Sequence, residues 1–338
     1  MRRPWHLAVS FSLTIIIGYI LYRSVPDWRQ AGSVMISGDL RWFLAGLCFV
    51  TIHMILRAWR WGVLLGPIKK KIPMNSLFSL TLVKYVINVI PPRVGEIAGS
   101  ILLARKEKIP ASSVIAASLF ERILDLLAVL LLFSFYLIFF AGWYLPVSES
   151  GRKIFDIIRK STTVGLFGLF VAFILLILLL RSRRWHDRMP RIVKKHVLSF
   201  LDGLRALQSR TAAAKTLVLS LMIWLAISAQ LWCLIRAYLD SFPPTGVFLI
   251  VAVTSIGMAI PTPGGVGGFQ FCMNLSLVQF FRPYLSGDDP LSQAAGASNG
   301  VYIVSMVPVI LFGIILLHRE GLSFSRAAAL SAGQADSK

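Results

Sequence analysis

The sequence predicts an all-α polytopic integral membrane protein. It reads as a single membrane domain over 1–338, with about six spanning helices and two re-entrant helical hairpins in an inverted repeat. Three observations carry this. Hydrophobic residues make up 56% of the chain and charged residues only 15%, where a soluble domain carries about 25% charged. Several apolar runs approach the ~20 residues that a spanning helix needs. Two runs are broken in mid-course by similar stretches: Ile90-Pro91-Pro92-Arg93-Val94-Gly95-Glu96 and, half a chain later, Ile260-Pro261-Thr262-Pro263-Gly264-Gly265-Val266-Gly267-Gly268. Prolines and glycines there stop a helix from running through. Paired broken segments in corresponding halves point to the substrate site of an inverted-repeat transporter.

The elements follow in order. A first span near 7–22 follows Arg2 and Arg3, which places the N-terminus in the cytoplasm. Tyr22-Arg23-Ser24-Val25-Pro26 is a poor cleavage site, so the span is expected to be retained. The connector 23–41 carries charges of both signs and is expected outside. A second span near 42–61 ends in Arg57-Ala58-Trp59-Arg60-Trp61 and then Lys69-Lys70-Lys71, an interfacial, cytoplasmic signature. Arg57 and Arg60 there read first as interface anchors and second as contacts for a lipid phosphate.

Residues 74–103 are too polar at Pro91 to Glu96 for a plain crossing. A hairpin that enters and returns leaves both flanking basic clusters, Lys69-Lys70-Lys71 and Arg105-Lys106-Glu107-Lys108, on the cytoplasmic side. A third span near 113–141 closes the first repeat, 1–145. The second repeat, 146–320, has spans near 162–180, 216–238 and 298–317 and a hairpin over 246–281 that enters from outside. Residues 321–338 form a cytoplasmic tail. The strongly basic stretch 181–214, with a surface helix expected around Ile192 to Leu207, is the clearest cytoplasmic marker. The halves thus share an order and have opposite orientation.

The net charge of +20 is gathered in short loops, as the positive-inside rule produces. It calls for an anionic membrane surface as neighbour and argues against nucleic acid. Cys48, Cys233 and Cys272 have no metal or disulfide spacing and read as buried thiols. Five scattered histidines offer no zinc signature and no Ser–His–Asp set. No cofactor, no metal and no catalytic domain are expected.

Three groups of residues could carry function. At the first break, Arg93 offers a planar donor fork suited to a phosphate, with Glu96 beside it and Lys84 about two turns before. The N-terminus of the returning half-helix adds a positive dipole end. The plainer reading is an Arg93–Glu96 pair that steadies the turn. At the second break, Gly264, Gly265 and Gly267 allow positive φ and close backbone approach; small-residue helix packing is the plainer reading. In the third span, Glu121, Arg122 and Asp125 share a helix surface, and Arg122 and Asp125 are spaced to pair. Charges inside a span mark a pathway or a structural network.

Leu56-Arg57-Ala58-Trp59-Arg60-Trp61, Pro91-Pro92-Arg93-Val94-Gly95-Glu96, Phe120-Glu121-Arg122-Ile123-Leu124-Asp125 and Pro261-Thr262-Pro263-Gly264-Gly265-Val266-Gly267, in that order, resemble the flippase-like membrane family typified by the transmembrane region of lysylphosphatidylglycerol synthases. The resemblance covers about 7–318. It implies a multi-pass protein of the bacterial or archaeal cytoplasmic (inner) membrane that moves lipid between leaflets. Where that family often has an acidic residue after the second glycine-rich turn, this chain has Gln270. In the bifunctional synthases a transferase domain follows the membrane region; that activity is not carried over here.

The expected function is therefore translocation of a phospholipid or lipid-linked headgroup, with no enzymatic activity. Headgroups would enter a polar chamber between the two hairpin tips. Arg93, Lys84 and Arg122 would hold the phosphate, and Glu96, Glu121 and Asp125 would balance charge. Two alternatives stand beside it: a membrane-embedded transferase using a polyprenol-phosphate-linked donor, and an accessory subunit of a lipid or envelope pathway. A homo-oligomer or a pathway enzyme is left open as protein partner.

Overall fold

The computed structural model describes residues 5–89, 94–140, 209–285 and 289–319, with isolated positions between 149 and 168. Among them the regular structure is entirely helical. The α-helices are α1 (Trp5–Ser24), α2 (Trp28–Ile36), α3 (Leu40–Leu65), α4 (Met74–Ile87), α5 (Gly95–Glu107), α6 (Ala111–Phe139), α7 (Arg210–Arg236), α8 (Val247–Ala259), α9 (Gly268–Phe280) and α10 (Pro290–Arg319). The protein is a polytopic membrane protein. Helices α3, α6, α7 and α10 are each long and apolar enough to cross a bilayer. Most of the span expected near 162–180, and the basic stretch down to 208 with its surface helix, lie outside the described residues.

The N-terminal region departs from expectation. α1 passes as a span only together with α2, which meets it at a bend of 99°. The connector expected over 23–41 thus contains a helix. Asp27 starts it: its side chain accepts hydrogen bonds from the backbone N–H groups of Arg29 and Gln30. Cys48 is exposed, contrary to expectation, whereas Cys233 and Cys272 are buried.

The broken segments are helical hairpins. α4 has 14 residues and α5 has 13, so each reaches ~20 Å, short of a ~30 Å hydrocarbon core. The chain reverses between them. The Asn88 side chain accepts from the Gly95 N–H at 2.8 Å. A Cβ at Gly95 would lie 2.1 Å from the Lys84 carbonyl oxygen, and one at Gly99 would lie 2.4 Å from Lys84 Cγ. The two bare glycine faces are what let α5 lie along α4. Lys69 and Glu107, at 2.7 Å, clip the open end.

The second hairpin, α8 and α9, uses the same device. Gly257 and Gly268 press backbone to backbone, each leaving no room for a Cβ on the other. Its open end is held by the Phe242–Phe281 ring pair, centroids 4.9 Å apart.

The two cores show how the hairpins are placed. One core joins Leu64 and Leu65 at the end of α3, Leu77 of α4, Leu103 of α5, Val114 at the start of α6 and Leu317 at the end of α10. The other joins Tyr136 at the end of α6, Leu234 at the end of α7, Val247 of α8, Phe280 of α9 and Ala294 at the start of α10. The hairpins therefore enter the bundle from opposite ends. α10 runs past both. Its residues 294–301 pack in the second core. Further along, Gly313 lies against Val86 and Leu82 of α4. Pro308 sits in the helix between these two stretches.

Candidate functional site

Four helices bring seven charged side chains together beside the first hairpin. α3 supplies Arg57 and Arg60, α4 supplies Lys84, α5 supplies Glu96, and α6 supplies Glu121, Arg122 and Asp125. The spacing explains the match. Arg57 and Arg60 lie three apart on α3, Glu121 and Asp125 four apart on α6, so each pair presents one face to the other.

Asp125 is the hub. Its Oδ2 meets Arg57 Nη1 at 3.0 Å and Arg122 Nη1 at 3.3 Å. Its Oδ1 accepts from Arg60 Nη1 at 2.9 Å and from the Trp224 indole N–H of α7 at 3.2 Å. Arg60 also donates to Glu121 Oε1 at 3.3 Å and to Ser220 Oγ at 3.0 Å.

Lys84 continues the chain of contacts. Its Nζ lies 3.8 Å from Glu121 Oε2 and 3.7 Å from Glu96 Oε2. It donates to Ser118 Oγ at 3.0 Å and sits 3.4 Å from the centroid of the Trp61 ring. Arg122 Nη2 closes the circuit to Glu96 Oε1 at 3.6 Å.

Burial divides this cluster. Arg60 is fully buried, and Arg57, Lys84, Glu121 and Asp125 are all buried. Charges taken that far from water persist only when paired. By contrast, the Arg122 side chain is 46% exposed and that of Glu96 is 22% exposed. Four cations against three carboxylates leave a formal excess of one positive charge. The cluster thus has a paired interior and one open edge, formed by Arg122 and Glu96.

The reading of Arg57 and Arg60 as interface anchors is corrected here. α3 continues to Leu65, four residues past Trp61, and both guanidiniums turn inward onto α6. Glu96 pairs with Lys84 and Arg122; Pro91, Pro92 and Arg93, and with them any Arg93–Glu96 pair, lie outside the described residues.

The second tip is a separate place. Gly264, Gly265 and Gly267 adopt φ of 62°, 78° and 86°, so the backbone there needs residues without a Cβ. The Tyr302 hydroxyl of α10 donates to the Gly264 carbonyl at 2.8 Å. Gln270 Oε1 accepts from the Gly267 N–H at 2.8 Å, capping α9 with its own side chain. Gln270 therefore has a structural task that needs no charge.

The second tip meets α10 at Tyr302 and α4 meets it at Gly313. Those positions lie ~16 Å apart along the helix. Among the described residues the charges gather beside the first hairpin and the neighbours of the second tip are neutral; the first tip itself, Pro91 to Arg93, lies outside the described residues.

Sequence reasoning brought Lys84, Glu96, Glu121, Arg122, Asp125 and Arg57 to notice, and the fold unites all six. It missed Arg60 as a hub partner, and it missed Ser118, Ser220, Trp61 and Trp224. The matched spacing of the basic pair on α3 and the acidic pair on α6 was the available signal. Nothing in the sequence flagged Ser220 or Trp224, since their role depends on how α7 packs on α3.

A family model described as the lysylphosphatidylglycerol synthase TM region matches residues 5–313, nearly the whole chain. No curated protein matches. The family match ties the protein to membrane lipids, and it spans both hairpins and the charged cluster. The chain belongs to the family defined by the transmembrane region of lysylphosphatidylglycerol synthases.

Proposed function

We propose that the protein is a lipid translocase of the bacterial or archaeal cytoplasmic membrane. It passes a phospholipid or lipid-linked headgroup between leaflets while the acyl chains stay in the bilayer. One observation carries this reading: a net-cationic cluster set among spanning helices, closed on one side and open at Arg122. A phosphate arriving at that edge would compete with Glu96 for Arg122, and Arg122 offers it a bidentate fork. The buried Arg57–Asp125–Arg60–Glu121 core holds Arg122 in place without itself being spent on substrate.

On this reading the protein is no enzyme, and the basic cluster Lys69-Lys70-Lys71 serves the anionic surface of the cytoplasmic leaflet. The test is transfer of a fluorescent phosphatidylglycerol across proteoliposomes holding the full chain. Arg122→Gln is expected to slow transfer about tenfold or more, the size of a lost hydrogen bond to a charged group. Its thermal midpoint should stay near wild type, because the side chain is half exposed. Wild-type rates in Arg122→Gln would remove the proposed site. Product formed from a lipid-linked sugar by the purified chain would favour a transferase instead.

A further inference from the structure

A cavity of about 180 Å³ opens where the α1–α2 bend meets the tip of the second hairpin and α10. At ~30 Å³ per molecule it has room for about six waters, or one small solute. Among the described residues no charged side chain lines it. Its polar side chains come mainly from α9 and α10, with Thr14 of α1 already donating to the Ser10 carbonyl. Gln270 is 8% exposed, and its Oε1 is used on Gly267 while its Nε2 makes no hydrogen bond among the described residues. Asn274, one turn further along α9, is 9% exposed, and its carboxamide makes none among the described residues.

From α10, Asn299 donates its amide to the Ala295 carbonyl and keeps its Oδ1. Ser298 donates to the Ala294 carbonyl and keeps lone pairs on its oxygen. Buried carboxamides without partners are costly. Asn274 without a partner, and Gln270, Asn299 and Ser298 each with a polar atom left over, form a set around one cavity that a ligand completes.

The chemistry of the set narrows the ligand. It holds donors, on Gln270 and Asn274, and acceptors, on Asn274, Asn299 and Ser298, with no charge of either sign. Among the described residues a phosphate or carboxylate finds no counter-ion there, and neither does an ammonium. A hydroxyl both donates and accepts, so a run of hydroxyls satisfies the whole set. The Trp28 ring also lines the cavity, its indole N–H already given to the Tyr22 carbonyl. That leaves an apolar ring surface of the kind that C–H faces of sugars rest on.

We propose that this cavity binds a neutral, hydroxyl-rich group of sugar or polyol class, free or as a lipid headgroup. The site is distinct from the cation cluster, and it does not rest on the translocase reading.

Gly18 gives a clean test, because a Cβ built there meets nothing within 4 Å. Gly18→Leu would project its side chain into the cavity from an unobstructed Cβ. The experiment is native mass spectrometry of the full chain in micelles, offered monoglucosyl diacylglycerol against diacylglycerol of the same chains. Free methyl glucoside is added in a second arm. Wild type is expected to retain the glucosyl lipid about tenfold over diacylglycerol. Gly18→Leu should bring the two to parity, and Asn274→Leu, which breaks no hydrogen bond in the fold, should cut the preference about tenfold. Competition by methyl glucoside would assign the site to the free sugar as well, and its failure beside a retained lipid preference would assign it to the headgroup.

The inference is overturned if wild type shows no preference and binds no glucoside. It is equally overturned if Gly18→Leu and Asn274→Leu both keep the preference. Translocation is not read in this assay, so the outcome is independent of the Arg122 test.

Discussion

Asp125→Ala is expected to cost about 3–5 kcal/mol of stability, enough to remove most folded protein from a detergent extract. The reason is what it leaves behind. Arg57, Arg60 and Arg122 all converge on this one carboxylate. Without it, two buried guanidiniums and one half-buried one face each other with only Glu121 and Glu96 between them. Breaking one member of a buried ionic set is far more costly than never having built it. Asp125→Asn keeps the shape and an acceptor for Trp224 but loses the charge, so it should fall only slightly short of the alanine cost. The double substitution Arg57→Leu with Asp125→Leu removes charge in balance and should recover a part of the loss. Thermal unfolding followed by size exclusion in mild detergent reads all three. An Asp125→Ala midpoint equal to wild type would mean that the cluster does not hold α3 to α6.

Gly257→Leu is the second large effect. A Cβ at 257 would lie 2.2 Å from the Gly268 carbonyl oxygen and 2.9 Å from Cys272 Sγ. The obstacle is backbone, which cannot rotate away as a side chain can. Gly257→Ala is therefore expected to cost about 1–3 kcal/mol as an overpacked contact. The leucine variant should cost more and separate α8 from α9. Gly32→Ala is the control: a Cβ there meets nothing within 4 Å, and helix propensity favours it by about 0.5–1 kcal/mol. The same unfolding measurement ranks the three. If Gly257→Ala and Gly32→Ala have equal midpoints, the close approach of the two half-helices is not needed for folding.

Much of the architecture was legible from the chain alone, because its signals are local. A run of apolar residues and a proline break are read along the sequence, and they located α3, α6, α7, α10 and both hairpins. The same holds for the charges in α6, which stand out against apolar neighbours. Partners are another matter. Arg60 looked like an anchor because tryptophans flank it near a span end; only the packing of α3 on α6 and α7 shows it fully buried between Glu121, Asp125 and Ser220. α2 was missed although Asp27 is a good N-cap, because mixed charge over 23–41 favoured a loop. The cavity beside the second tip was hidden for a further reason. Gln270 and Asn274 on α9 and Asn299 on α10 look unremarkable in the sequence, and the polar atoms they leave unused meet at one cavity only once the chain is folded.

Pro308 gives α10 a mechanical property. A proline inside a helix deletes one rung of its hydrogen-bond ladder and crowds the turn before it. The rod is thus softest between the stretch that cradles one hairpin and the stretch that cradles the other. A tilt imposed at either seat is absorbed at this joint rather than levered across to the far seat. Pro308→Ala, by restoring that rung, is expected to stiffen α10 between the two seats.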